Sequence, residues 1–273
     1  MGEIVVTGAS GFIGSAVCAE LLRRSISVTA VGGTRRPDYP GARCLVIDEL
    51  KQIDPERESI CVHLAGNNVV HRAAETADSE MKLAQTLLGL GFRRTIFISS
   101  GSVYGDHVKS ARKETDIPVP GGEYAATKLK LERVFLDEAC GVARLGNVYG
   151  PRMSESTVVM RLFRQIRSRV KRIEIQDLSP VRDFIHADDV AKGIVDFALS
   201  KATGVFNFGT GIGTSIAALL ASMESVNVPF DHETRASITV ESNSYLVLDP
   251  SKALQKLSWS PKITLTEGLK TLN

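Results

Sequence analysis

The chain has 273 residues, with 33 Lys+Arg against 31 Asp+Glu and a formal net charge of +2. At about 150 residues per domain this is one or two domains, long enough to bury a core without disulfides or metals. Hydrophobic residues at 43% and charged residues at 23% exclude wholesale disorder and a fibrous protein, and so weak a charge gives no ground for a nucleic-acid partner.

The first strand-like run, Ile4–Val6, begins almost at Met1 with no basic segment ahead of a long apolar one, so no secretory leader is expected. Further short β-branched runs follow at Val28–Val31, Cys44–Ile47, Ile60–Leu64, Thr95–Ser99 and Val142–Leu145. Helix-like stretches lie between them at Phe12–Arg24, Ser79–Gly91 and Tyr124–Ala139. This alternation predicts an α/β fold, a Rossmann-like doubly wound parallel sheet. After Pro151 the rhythm loosens into helix-like pieces at Val158–Arg169, Ala187–Ser200 and Ser215–Val226. The expected organisation is a dinucleotide-binding domain over 1–150 and a smaller substrate lobe over 151–273, discontinuous, with some segments returning to the first domain.

The longest uncharged stretch, between Lys201 and Glu224, is broken by Gly204, Gly209, Gly211 and Gly213, so it makes a poor membrane span. Cys18, Cys44, Cys61 and Cys140 stand far apart and form no CxxC, as expected of buried reduced thiols in a cytoplasmic protein. Leu162, Ile166 and Val170 form an apolar stripe through an arginine-rich run, which reads as an amphipathic helix with a solvated basic face.

Three local patterns carry chemistry. Thr7–Gly14 is a GxxGxxG directly after a strand and directly before a helix. Gly8 allows the tight turn, Gly11 lets backbone approach a pyrophosphate, and Gly14 lets the helix pack close. After the second strand, where an NAD site places an acid on the ribose, Gly32-Gly33-Thr34-Arg35-Arg36 stands instead. Two guanidiniums there favour a 2′-phosphate, hence NADP, with NAD as the alternative. Asp48, ending the third strand, reads either as an acceptor from the adenine amino group or as a helix-start acid.

Tyr124 and Lys128, at i and i+4, share one helix face, where the cation is expected to favour the phenolate and the ammonium to hold the nicotinamide ribose. Upstream, Ser99–Gly105 follows a parallel strand at its C-terminal end, where ligands of such sheets bind. Ser99 and Ser102 read first as turn or cap residues, although Ser102 stays a candidate substrate contact.

These elements, in order, resemble the extended short-chain dehydrogenases/reductases, the NAD(P)-dependent epimerase/dehydratase family acting on nucleotide sugars. Thr7–Gly14, His63-Leu64-Ala65-Gly66, Ser99–Gly105, Tyr124–Lys128, Arg144–Arg152, Arg182–Val190, Phe206–Gly211 and Leu257–Pro261 carry the likeness, which spans nearly the whole chain. The resemblance implies Ser100 as the catalytic hydroxyl, Tyr124 as general acid/base and Lys128 as its tuner and ribose ligand. It implies cofactor contacts at Gly8, Ser10, Gly11, Phe12, Ile13, Gly14, Leu64, Ala65 and Gly66, beside Arg35, Arg36 and Asp48. Substrate contacts are implied at Ser100, Ser102, Asn147 and Arg182.

No metal is expected: His186, Asp188 and Asp189 look like part of a structural signature, with the carboxylates capping the helix that starts there.

Departures from the family narrow the chemistry. Gly101-Ser102 stands where the 4,6-dehydratases carry an Asp-Glu pair and where members epimerising C3 and C5 carry a cysteine. Arg35 and Arg36 favour NADPH-dependent 4-keto reduction of a nucleotide-linked sugar as the expected activity, with Tyr124 as proton donor. A nucleotide-sugar 4-epimerase with retained NAD is the alternative, and a non-catalytic NADP sensor or scaffold is the alternative of another class. The partners expected are the nucleotide sugar and a second copy in a homodimer, the latter through Leu83, Leu87, Leu88 and Leu90, with no membrane.

Overall fold

The structure, a computed structural model, describes residues 2–55, 59–66, 73–137, 140–226, 233–236 and 243–272. Its first half alternates strand and helix: β1 (Ile4–Thr7), α1 (Phe12–Arg23), β2 (Val28–Gly32), β3 (Arg43–Val46), β4 (Ile60–His63), α2 (Ala73–Gly89), β5 (Arg94–Ser100), α3 (Glu123–Asp137) and β6 (Gly141–Leu145). The second half holds β7 (Asn147–Tyr149), α4 (Val158–Arg167), β8 (Arg172–Ile175), β9 (Val181–His186), α5 (Ala187–Leu199), β10 (Gly204–Phe208), β11 (Gly213–Ser215), α6 (Ile216–Val226), β12 (Glu233–Ala236), β13 (Tyr245–Leu246), α7 (Ser251–Leu257) and α8 (Leu265–Leu269).

Seven parallel strands form the main sheet in the order β10-β6-β5-β4-β1-β2-β3. The strand order reverses beside β1, which places a crevice at the carboxyl ends of β1 and β4. Both faces of the sheet are covered, and this explains the near-continuous apolar strands. Ile4 and Val6 pack with Val17, Leu21, Ile194 and Phe197 of α1 and α5. Val5 and Cys61 point the other way, with Leu87 of α2. On that same side Phe97 and Phe135 stack with centroids 4.8 Å apart.

β10 lies at residues 204–208 yet closes one edge of this sheet against β6, so chain beyond 150 belongs structurally to the first layer. α5, α7 and Trp259 also pack into the core of the main sheet, and other segments build a smaller body. β9 pairs antiparallel with β11 and parallel with β13 and β7, and β8 pairs with β12. Its core gathers Tyr149, Leu162, Phe163, Ile166, Leu219 and Met223. The basic run is the helix α4, capped by Thr157, with Leu162 and Ile166 buried and Arg161, Arg164 and Arg167 exposed.

The reading of Asp188 and Asp189 as helix caps is corrected. His186 caps α5, its Nδ1 accepting from the Asp188 N–H at 3.2 Å. The buried Asp189 carboxylate instead accepts from the Lys262 and Ile263 N–H groups at 2.8 and 2.7 Å. It pins the C-terminal segment, whose Trp259 Nε1 donates to the Asp189 carbonyl at 3.0 Å. The physical reason is supply: the imidazole of His186, at the N-cap position, already satisfies the helix amide, and the tail brings two N–H groups that need an acceptor. Cys18, Cys61 and Cys140 are buried thiols and Cys44 is half-buried. Among the described residues no helix is long and apolar enough to cross a membrane, and no group of three or more His, Cys, Asp or Glu is placed to hold a metal.

Candidate active site

β1 ends at Thr7 and the chain reverses at Gly8, which has φ +72°. A Cβ on Gly8 would stand 2.7 Å from the Ala65 nitrogen, and one on Gly14 would stand 2.1 Å from the Gly8 oxygen. The turn, the strand β4 exit and α1 therefore meet at a distance only glycine permits. Gly11 is the N-cap of α1 and supplies no side-chain acceptor to the first-turn N–H groups. Those amides and the helix dipole face a cavity of about 490 Å³ lined by the Gly8–Gly14 turn, Gly33, Leu64, Ala65, Gly66, Ser100, Tyr124 and Lys128. This cradle fits a dinucleotide: bare backbone at the phosphate end, apolar walls, and hydroxyl and ammonium groups at the far end.

At the ribose end the arginines diverge. Arg35 is exposed, and its carbonyl accepts from Ser10 Oγ at 3.3 Å. Arg36 is committed: it pairs with Glu49 at 2.6 Å and donates to the Cys44 carbonyl. Neither guanidinium lines the cavity; Gly33 does. Asp48 also lies off it. β3 stops at Val46, and Asp48 stands exposed in the first turn of a 3-10 helix over Ile47–Gln52, so the helix-start reading is the one that holds.

A second cavity of about 390 Å³ abuts the first and is lined by Ser100, Ser102, Asp106, Tyr124, Asn147, Arg182 and Leu246, with several glycines. Ser100, Tyr124, Leu145 and Gly146 line both. The junction of the two spaces thus presents one hydroxyl and one phenol, the arrangement a hydride transfer between two ligands needs. Ser102 is no simple turn residue, for its Oγ donates to Ser100 Oγ at 2.9 Å. Arg182 donates to Ser244 Oγ at 2.6 Å and reaches Asp106 at 3.5 Å.

The expectation that Lys128 depresses the Tyr124 phenol is corrected. Burial raises the phenol above its ordinary value, hydrogen bonding with Ser100 pulls the other way, and the Glu80 carboxylate raises it further. Burial likewise pushes the Lys128 ammonium down, against Glu80 and Glu132, which favour its charge. The Lys128 Nζ lies 5.9 Å from the Tyr124 ring centroid and 3.9 Å from Glu80 Oε2. The carboxylate therefore answers the cation, and desolvation decides the phenol.

Beneath this pair runs a buried polar chain. Ser99 Oγ donates to Glu132 at 2.5 Å, so Ser99 is a strand residue with a buried partner. Arg144 grips the same carboxylate through Nε at 3.0 Å and a terminal nitrogen at 2.6 Å. Arg144 also lies over the Tyr104 ring at 4.6 Å, and Tyr104 donates to Asn207 at 3.0 Å. Sequence reasoning missed Glu80, Glu132, Asp106 and Leu246. Glu132 carries a signal, being one further turn along the face of Tyr124 and Lys128, and Asp106 directly follows the Ser99–Gly105 motif. Glu80 and Leu246 arrive from distant segments and carry none.

A parallel sheet of this order, a glycine turn opening α1, and a Tyr–Lys helix at the junction of two cavities define a dinucleotide-dependent enzyme of the short-chain dehydrogenase type. The chain belongs to the NAD dependent epimerase/dehydratase family, whose model matches residues 4–209. It is 27% identical over 304 residues to the UDP-glucose 4-epimerase of Mycolicibacterium smegmatis, covering 97% of this chain and 95% of that one. Among solved structures it resembles the UDP-glucose 4-epimerase of Thermotoga maritima with UDP-glucose, at 28% identity and a TM-score of 0.82, over 98% and 96% of the two chains. It also resembles the UDP-glucuronic acid 4-epimerase of Bacillus cereus in complex with UDP-glucuronic acid and NAD, at 26% identity and a TM-score of 0.80, over 98% and 97%.

Proposed function

We propose that the protein is a 4-epimerase of a UDP-linked sugar, working with a retained NAD. The observation that carries this reading is the junction itself: Ser100 and Tyr124 border both the dinucleotide cavity and the second cavity. Several relatives that match over nearly the whole chain are named as 4-epimerases acting on such sugars, beside one named as a UDP-glucuronic acid decarboxylase. When bound, the nicotinamide supplies acceptance and return of a hydride at the sugar C4. The chain's own residues do the rest. Tyr124 takes and returns the 4-hydroxyl proton, and Ser100 hydrogen-bonds the same oxygen. Lys128 holds the ribose, while Asn147 and Arg182 meet the diphosphate. Gly101-Ser102 offers no carboxylic acid to expel a neighbouring hydroxyl, which sets dehydration aside.

A second reading, 4-keto reduction with NADPH, is favoured by the exposed Arg35 guanidinium and by a phenol that stays protonated. The commitment of Arg36 to Glu49 weighs against it. Assembly as a homodimer is part of the proposal, supported by α2 and α3 packing side by side with Leu83 and Leu88 only partly covered; sedimentation velocity tests it.

The deciding experiment is to analyse the nucleotide that co-purifies and then incubate the protein with UDP-glucose. Retained NAD and formation of the 4-epimer without added reductant support the epimerase. Freely exchanged NADPH with no epimer moves the assignment to reduction. In Tyr124→Phe, kcat should fall by about 10²–10⁴ with cofactor still bound, the usual worth of a positioned acid–base group. Unchanged turnover would end the role of Tyr124.

A further inference from the structure

One carboxylate near the site has no part in the chemistry so far. Glu80, on α2, does not line the cofactor cavity, yet it touches two residues that do. Its Oε2 lies 3.9 Å from Lys128 Nζ. A Cβ placed on Gly66 would meet Glu80 Oε2 at 3.0 Å and Lys128 Nζ at 3.3 Å. The cavity wall at Gly66 therefore rests directly on this ion pair. Thr76 Oγ1 donates to the other carboxylate oxygen at 3.2 Å and fixes its orientation. Glu80 and Lys128 are both 7% exposed, so bulk water screens the pair little.

The charged and titratable groups facing Lys128 among the described residues are few. Tyr124 and Glu132 share its helix. His63 on β4 is kept neutral by burial and by Lys128 itself. Phe97 of β5 presents its ring 5.2 Å from the ammonium. Glu132 is already gripped by Arg144 and Ser99, which leaves Glu80 as the carboxylate at ion-pair distance.

We propose that Glu80 is a positioning residue of the reaction: its carboxylate anchors the Lys128 ammonium at the cavity wall and holds Tyr124 in its phenol form, a role that rests on Tyr124 as proton carrier. The charge count gives the reason. With Glu80 ionised, the Tyr124–Lys128–Glu80 group is neutral while the phenol keeps its proton, and losing that proton leaves a buried net negative charge. With a neutral residue at position 80 the group starts at plus one, and losing the proton makes it neutral. The first proton then leaves the pair more easily, and while Lys128 keeps its charge the ammonium stabilises the phenolate. The direction of the Tyr124 displacement agrees, since Glu80 is among its causes. Glu80 thereby favours the form of Tyr124 that returns a proton and opposes the phenolate that takes one.

The test needs no substrate. The phenolate absorbance of Tyr124 is titrated as the difference between each protein and the same protein carrying Tyr124→Phe. In Glu80→Gln the phenolate should form at roughly tenfold higher proton concentration, about one pH unit lower than in the wild type. Glu80→Asp, which keeps the charge, should titrate within about threefold of the wild type. Should Glu80→Gln fail to fold, Glu80→Met removes the charge without asking for a hydrogen bond and gives the same readout. A neutral variant that titrates along the wild-type curve, or at higher pH, overturns the proposal and leaves the epimerase assignment standing. If instead UDP-glucose is not turned over, the titration remains readable, so the two failures are distinct. A merely structural Glu80 would lower the melting temperature and leave the phenolate curve in place.

Discussion

Glu132→Gln is the perturbation that most directly probes how the site is held. The wild-type carboxylate is 1% exposed and accepts from Ser99 and from two nitrogens of an Arg144 that is itself 4% exposed. The substitution keeps the shape and removes the charge, leaving a buried guanidinium with one neutral acceptor. Removing one partner of a buried ion pair costs about 3–5 kcal/mol. The lower end applies here, because Gln still accepts one hydrogen bond and the Tyr104 ring lies 4.6 Å beneath the guanidinium. A loss of about 3 kcal/mol is a large share of the roughly 5–15 kcal/mol a domain possesses. Trp259, the single tryptophan and buried, reports unfolding by fluorescence. With a urea slope of about 3 kcal/mol/M the midpoint should fall by about 1 M. The pair Glu132→Leu with Arg144→Met should recover to within about 1 kcal/mol of the wild type, since apolar replacement of a buried ion pair is often neutral. A shift below about 1 kcal/mol in Glu132→Gln would refute the reasoning, for it would mean the guanidinium finds another partner or water. A double variant as unstable as the single one would show that packing, not charge, sets the cost.

Three further outcomes follow from the same geometry. His63 is buried, bonded to Thr7 at 2.7 Å, and pushed down to about 3 from an ordinary 6.5. Between those values the unfolded chain binds a proton the folded one refuses, so the stability due to neutral His63 is lost as pH falls from 6.5 toward 3. The loss reaches about 2 kcal/mol at pH ~5, and His63→Asn should flatten that part of the pH–stability curve; an unchanged slope counts against it. Gly14→Ala places a methyl 2.1 Å from the Gly8 oxygen. It should cost about 1–3 kcal/mol in urea melts and at least about tenfold in NADH affinity, and wild-type affinity would show that α1 can back away. Glu49→Gln releases Arg36 and should raise the affinity for NADPH relative to NADH in fluorescence titrations; an unmoved ratio would remove Arg36 from cofactor choice.

Much of the fold was legible because its signals are local. Strands buried on both faces are near-continuously apolar, so Ile4–Val6 and Ile60–Val62 announce themselves. A helix that must approach a strand closely requires glycine, and Gly8 and Gly14 stand where that contact occurs. Tyr124 and Lys128 fall on one face because the helix repeats every 3.6 residues, and the strand before Ser100 has to deliver it to the carboxyl edge of a parallel sheet. What sequence position alone could not reveal is which charge stands beside which. Arg35 and Arg36 are neighbours in the chain and both exposed, yet it is Arg36 that is tied to Glu49. Asp188 and Asp189 open the same helix, and only the second meets the C-terminal tail. Lys128 was expected to lower the Tyr124 phenol, and the phenol is raised, because α2 brings Glu80 against the ammonium and burial withdraws the water that would stabilise a phenolate. Backbone conformation follows from neighbours along the chain; proton affinity follows from desolvation and from charges a few ångströms away, and those distances exist only once the helices have packed.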